Sequence, residues 1–259
     1  MIVLGLGSGR TGTASLSQLI NSQKNAICFH ELNPTGVVFE GNPQPIINTI
    51  TEFSRILDGG DKHLLSIDYG RPSSVKKYQE LQISQNINII GDIAYYYLTY
   101  VEDILSITKN IRFVCIKRDR AETVASWLEK SAIKRWPSLW VGERFKSLIT
   151  RTPFYTSKNF WQVHNGSLWQ LDPIWDKTFP KFDAESKDKA IGKYWDYYYE
   201  EAGRLEGKHP LYFRIFPIQQ LSCQEGQREI LHFIGLSEND MILRERFHFH
   251  KGVQKRSKF

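Results

Sequence analysis

Apolar residues arrive in this chain as short bursts separated by amphipathic stretches, and the alternation begins at the first residue. Ile2–Leu6 is an apolar run that stops at a glycine-rich turn, the pattern of a buried strand, and Leu16, Leu19 and Ile20 then recur at helical spacing up to about Gln23. Residues 26–29 predict a second strand ending in His30-Glu31, followed by a Pro/Gly/Asn-rich loop over 33–45 and a helix over 46–57. Residues 64–67 predict a third strand closing at Asp68, residues 87–90 a fourth closing at Gly91-Asp92, and residues 112–116 a fifth. Tyr97, Leu98, Val101, Ile104 and Leu105 share one helical face, and Val124, Trp127 and Leu128 mark another helix. A helix with Tyr194, Trp195 and Tyr198, a strand over 211–216 and a helix over 225–234 complete the series. Strands that alternate with helices predict an α/β fold, a mostly parallel central sheet flanked by helices, in a single domain over 1–259.

One region departs from this rhythm. Between about 134 and 182 lie five of the seven tryptophans, Trp136, Trp140, Trp161, Trp169 and Trp175, without a clean period. It reads as a helical or loop cap, or an insertion, on the one domain. The formal charge of +6 suits an anionic ligand, and much of the surplus lies in a basic tail over 244–259 that reads as a solvated end rather than a nucleic-acid site. Cys28, Cys115 and Cys223 form no C-x-x-C pair, so neither a disulfide framework nor a zinc site is expected, and a reducing compartment is. No apolar run approaches the roughly 18 residues of a membrane span, and residue 1 already lies in the first strand; the expectation is a cytoplasmic protein.

The turn after the first strand carries the first chemistry. Gly7-Ser8-Gly9-Arg10-Thr11-Gly12 fits the dinucleotide fingerprint as a string, and Glu31, about 20 residues on, stands where a ribose-binding carboxylate would. The same turn reads equally as a strand–loop–helix phosphate cradle, in which backbone N–H groups and a helix N-terminus receive an anion. Arg10, Thr11, Thr13 and Ser15 favour the cradle, because a pyrophosphate held by bare backbone needs few such donors. Gly12 is followed by Thr13-Ala14 and not by Lys-Ser/Thr, so the loop lacks the usual magnesium ligand of nucleotide triphosphatases.

A second cluster lies about a hundred residues further on. In Arg112–Trp127 a buried strand ends in Lys117-Arg118-Asp119-Arg120, and Ser126 follows Arg118 by eight residues on the next helix. An arginine at a strand's carboxyl end and a serine in the early helix can converge on one phosphate. Two phosphate sites fit a nucleotide phosphorylated at two places, for which a dehydrogenase has no obvious use. The plain alternative is a surface ion-pair cluster.

Taken together, these segments resemble a sulfotransferase of the bacterial type that uses 3′-phosphoadenosine 5′-phosphosulfate (PAPS), within the P-loop nucleotide-binding superfamily. Residues Gly9, Arg10, Thr11, Gly12, Thr13, Ala14, Ser15 and Leu16 resemble its 5′-phosphosulfate loop, and Arg118 to Ser126 has the spacing of its 3′-phosphate motif. Phe29-His30-Glu31, Gly91-Asp92 before a Tyr-rich helix, Arg112-Phe113-Val114 and, more loosely, residues 179–182 and Tyr194-Trp195 also resemble family segments. The basic C-terminal segment that closes the nucleotide site in cytosolic members is matched only weakly by Lys251-Gly252 and Lys255. The resemblance implies PAPS as co-substrate, no metal, and a small-molecule or glycan acceptor presenting a hydroxyl or amine. It implies Arg10 at the transferring sulfuryl group, Gly9 and Thr11–Ser15 on the 5′-phosphate, and Arg118 and Ser126 on the 3′-phosphate. The acceptor's general base is expected among Glu31, His30 and Asp92, in that order. An NAD(P)-binding oxidoreductase and a non-catalytic anion- or glycan-binding module are the alternatives.

Overall fold

Five parallel strands in the order β2-β3-β1-β4-β5 form the centre of the computed structural model, which describes residues 1–32, 43–65, 67, 69, 71–131, 145, 148, 149, 182 and 184–244. The strands are β1 (Ile2–Leu6), β2 (Ala26–His30), β3 (Ile89–Ile93), β4 (Ile111–Lys117) and β5 (Phe213–Pro217). The helices are α1 (Thr13–Asn21), α2 (Gln44–Leu57), α3 (Pro72–Ile83), α4 (Val101–Ile107), α5 (Arg120–Ser131), α6 (Lys187–Lys208) and α7 (Gln224–Phe233). Nearly all of the Trp-rich stretch, the loop over 33–42, Asp68 and the tail beyond 244 lie outside the described residues.

Both faces of the sheet are covered, which is why its strands read as continuous apolar runs. Side chains alternate along β1: Ile2, Leu4 and Leu6 enter the core shared with α2, α4 and α6, while Val3 enters the one shared with α1 and α7. β4 repeats the division, with Ile111, Phe113 and Cys115 on the first side and Val114 and Ile116 on the second. Cys28 and Cys115 are buried as small core residues, whereas Cys223 is exposed. Among the described residues no helix is long and apolar enough to cross a membrane.

The expected strand over 64–67 is not found among its described residues, 64, 65 and 67. Leu64 and Ile67 are buried but Leu65 is 69% exposed, so a short apolar run docks two side chains without joining the sheet. In its place stands α3, which buries only Ser74 and Leu81 and so leaves little periodic signal. β3 also runs further than expected, to Ile93, which puts Asp92 inside the strand and not beyond its end.

β1 lies between β3 and β4: the chain builds β2 and β3 on one side of it and then crosses to build β4 and β5 on the other. In an open parallel sheet that reversal leaves a crevice at the carboxyl ends of the strands, where ligands bind. The loop after β1, His30 at the end of β2 and Arg118 after β4 all lie at that edge.

Candidate functional site

The loop from Gly7 to Gly12 is held in a conformation most residues avoid. Gly9 (φ 78°), Arg10 (φ 61°) and Gly12 (φ 88°) all have left-handed backbones, which for Arg10 costs about 1–2 kcal/mol. A Cβ on Gly9 would lie 2.4 Å from the Trp127 ring, so only glycine fits there. Gly12 serves as N-cap of α1 without a side-chain cap, and its carbonyl accepts from Ser15 N (2.9 Å) and Leu16 N (3.1 Å). With no acidic residue in the first turn of α1, the orphan N–H groups and positive dipole end there suit an anion.

What holds the loop is α6, from more than 180 residues away. The Tyr198 hydroxyl accepts from Gly7 N (3.0 Å) and donates to Tyr95 O (3.1 Å). The Ser8 hydroxyl donates to Tyr199 (3.5 Å), whose own hydroxyl donates to Ile116 O (2.7 Å) at the end of β4. Trp127 closes the set by donating its indole N–H to Ser8 O (3.3 Å). Ser8 and Thr11 are wholly buried, so the Thr11 hydroxyl is turned into the protein.

The second cluster folds back onto this loop. Arg10 Nε donates to Ser126 Oγ (3.0 Å), and Arg118 donates to Arg10 O (3.2 Å) and to Glu122 Oε2 (2.9 Å). Arg10, Arg118 and Ser126, drawn from three places in the sequence, therefore form one patch. Burial and the neighbouring Arg118 lower the Arg10 pKa below the usual guanidinium value. The other charges of the cluster have separate duties. Asp119 caps α5 by accepting from Glu122 N (3.0 Å), and Arg120 makes a two-pronged pair with Asp196 of α6 (2.7 Å each) that fixes α5.

At the end of β2 the three expected bases have different surroundings. His30 Nε2 lies 3.2 Å from Thr13 Oγ1, the first residue of α1, beside the loop. Glu31 has a left-handed backbone (φ 55°), donates its N–H to Ile93 O (2.9 Å), and pairs its carboxylate with Arg71, which also donates to Glu31 O (2.9 Å). Asp92 is wholly buried, accepting from Leu32 N (3.0 Å), Tyr96 (3.2 Å) and Tyr97 (2.8 Å). Burial raises its pKa, opposed by those three donors and His30. This carboxylate latches the chain after β2 to β3.

The strand order also bears on the two readings of the turn. In the dinucleotide fold the strand after the glycine-rich turn's helix lies directly beside β1. Here β3 intervenes between β1 and β2, and Glu31 is engaged by Arg71. The letters of the fingerprint are present without its topology. Sequence reasoning missed Arg71, Lys130, Tyr198 and Tyr199 as parts of this edge. For Lys130 a signal existed, since it follows Ser126 by one helical turn. Arg71 and the tyrosines matter through contacts that no local pattern announces.

No protein-family model matches the chain, and no curated protein matches it. Among solved structures it is similar to a crystal structure of a sulfotransferase from Alicyclobacillus acidocaldarius, at 12% identity and a TM-score of 0.45, over 96% of this chain and 86% of that one.

Proposed function

We propose that the protein is a sulfotransferase that moves the sulfuryl group of PAPS to an acceptor hydroxyl. The observation that carries this reading is the meeting of Arg10 with Ser126 and Arg118, which joins a phosphate-type loop to a second cation–hydroxyl pair. The residues fit the nucleotide: a capless helix start, left-handed glycines at close approach, and two arginines that among the described residues pair directly with one carboxylate, Glu122. The backbone of Gly9 to Ser15 and the Thr13 and Ser15 hydroxyls hold the 5′-phosphate, with Thr11 contributing through its backbone alone. Arg118 and Ser126 hold the 3′-phosphate.

PAPS, when bound, supplies the sulfuryl group and a bisphosphate leaving group. Arg10, always protonated, neutralises charge that develops between the two, a role needing no metal. His30 takes the acceptor's proton at Nε2, the nitrogen freed from Thr13 Oγ1 when the Thr13 hydroxyl turns to the 5′-phosphate. Glu31 is the weaker choice of base, because its carboxylate is already taken up by Arg71. Asp92, buried and fully engaged, is left to structure.

Thermal unfolding tests the nucleotide. Adenosine 3′,5′-bisphosphate is expected to raise the Tm and NAD(P) to leave it unchanged; the reverse would sink the proposal. Arg118→Ala should erase the preference for the bisphosphate over adenosine 5′-monophosphate. Incubation with PAPS and a glycan panel, read by mass spectrometry, distinguishes transfer from binding alone.

A further inference from the structure

One turn of α6 follows the end of β4 residue by residue. Tyr199 donates its hydroxyl to Ile116 O (2.7 Å), and Trp195, four positions earlier, donates its indole N–H to Arg118 O (3.1 Å). Lys117, between the two carbonyls, holds its ammonium over both rings, 5.1 Å from the centre of Trp195 and 5.4 Å from that of Tyr199. The spacings match because alternate carbonyls of an extended chain face the same way about 6.6 Å apart, while residues four apart on a helix rise about 6 Å. The two rings lie against each other, 4.7 Å between centres. Asp196 continues the contact by taking Arg120 Nε (2.7 Å).

This contact bears most on Arg118. The residue lies past the end of β4 and before α5, and its carbonyl stands one residue ahead of Asp119 O, which takes Thr123 N (3.0 Å) at the start of the helix. Its backbone therefore falls between the sheet and the helix, and Trp195 supplies the donor there. From that anchored backbone the guanidinium reaches Arg10 O (3.2 Å) and Glu122 Oε2 (2.9 Å). The same helix fixes the other half of the site, since Tyr198 accepts from Gly7 N and Tyr199 accepts from Ser8. Residues 195, 198 and 199 share one helical face, so a single turn sets the distance between the glycine-rich loop and Arg118. A nucleotide phosphorylated at both its 5′ and 3′ positions needs that distance fixed, because its ribose fixes the separation of the two phosphates.

We propose that Trp195 is a positioning residue for nucleotide choice: by anchoring Arg118 O it sets where the Arg118 guanidinium meets the 3′-phosphate, and so governs the preference for a 3′-phosphorylated nucleotide without touching it. This rests on the sulfotransferase reading and assigns part of its nucleotide specificity to a residue of α6. Loss of the indole N–H lets the backbone of Arg118 shift, while the loop, still held by Tyr198, keeps its grip on the 5′-phosphate.

Calorimetric titration of the full chain with adenosine 3′,5′-bisphosphate and with adenosine 5′-monophosphate tests this through the ratio of the two affinities, which a general loss of stability would not move. Trp195→Phe keeps a ring and removes the N–H; the preference for the bisphosphate should fall about three- to tenfold, nearly all of it through weaker bisphosphate binding. Arg118→Ala should erase the preference, and adding Trp195→Phe to it should change the ratio no further, as for two residues that act as one unit. Benzothienylalanine in place of Trp195, which exchanges the N–H for sulfur at nearly constant shape, gives the same readout should Trp195→Phe not fold. An unchanged ratio, equal weakening of both nucleotides, or a ratio that still responds to Trp195→Phe in the Arg118→Ala background would each overturn the role of Trp195. A wild type that binds the bisphosphate no better than the monophosphate overturns the sulfotransferase reading itself, so the two failures are distinguishable.

Discussion

The two halves of the site are built by different means. On the loop side, neutral hydrogen bonds from buried aromatic side chains fix the backbone: Tyr198, Tyr199 and Trp127 each bond to Gly7 or Ser8. At the end of β2, position is set by charge: Asp92 gathers three donors, and Glu31 is tied to Arg71. A loop that must offer its N–H groups to an anion cannot be held by carboxylates, which would compete for the same donors. An end that receives an acceptor can use ion pairs, since these orient groups that must themselves bind or move protons. On the proposed reading, the scaffold keeps its fixed carboxylates away from the N–H groups that would receive the phosphate.

The largest expected effect separates the residues at the end of β2. His30→Ala should lower kcat by about 10²–10⁴-fold, whereas Glu31→Gln should lower it by less than about tenfold. Steady-state rates of bisphosphate release check this, and a larger loss for Glu31→Gln would return the base role to that carboxylate. Next in size is the latch. Asp92→Ala leaves three buried donors without an acceptor and should cost about 3–5 kcal/mol in a urea titration, which would far exceed any direct effect on nucleotide affinity. Tyr198→Phe probes the loop side by removing the acceptor of Gly7 N–H; about 1–3 kcal/mol should be lost, together with a weaker bisphosphate shift. If stability falls and the shift is untouched, the tyrosine supports the fold and not the loop.

The smallest effect is a control on charge away from the site. Glu102 of α4 meets Lys208 (2.7 Å) and Arg204 (3.4 Å) at the end of α6, and these bonds lower its pKa to about 2 from the ordinary 4.5. A lowered carboxylate stabilises the fold above its unfolded pKa, and the contribution fades as pH falls from about 4.5 towards 2. Because the group is exposed, Glu102→Gln should cost less than about 1 kcal/mol at pH 7 and flatten the stability profile only in that acid window.

Much of this was legible in the sequence where local pattern and tertiary role coincide. β1, β2, β4 and α2 are contiguous or periodic apolar segments whose apolar residues are mostly buried, so composition announces them. Residues 64–67 misled because an apolar run of that length is equally a strand or a docked loop. Arg10 and Arg118 could be singled out because each lies next to a strand end or helix start that the pattern locates, and Ser126 by its spacing from Arg118. Arg71 could not, since its meaning is a contact with a residue 40 positions earlier, made by a loop whose own helix has a weak apolar face. The order of the strands was not readable either, and it is that order which separates Glu31 from the glycine-rich turn.

The left-handed backbone of Arg10 sets two selections against each other at one codon. Glycine or asparagine would sit there with less strain, so a library sorted for folding alone should drift away from arginine, while one sorted for turnover should keep it. On the proposed reading, the strain is met during folding, before any ligand arrives, and the guanidinium need not be reoriented at each turnover.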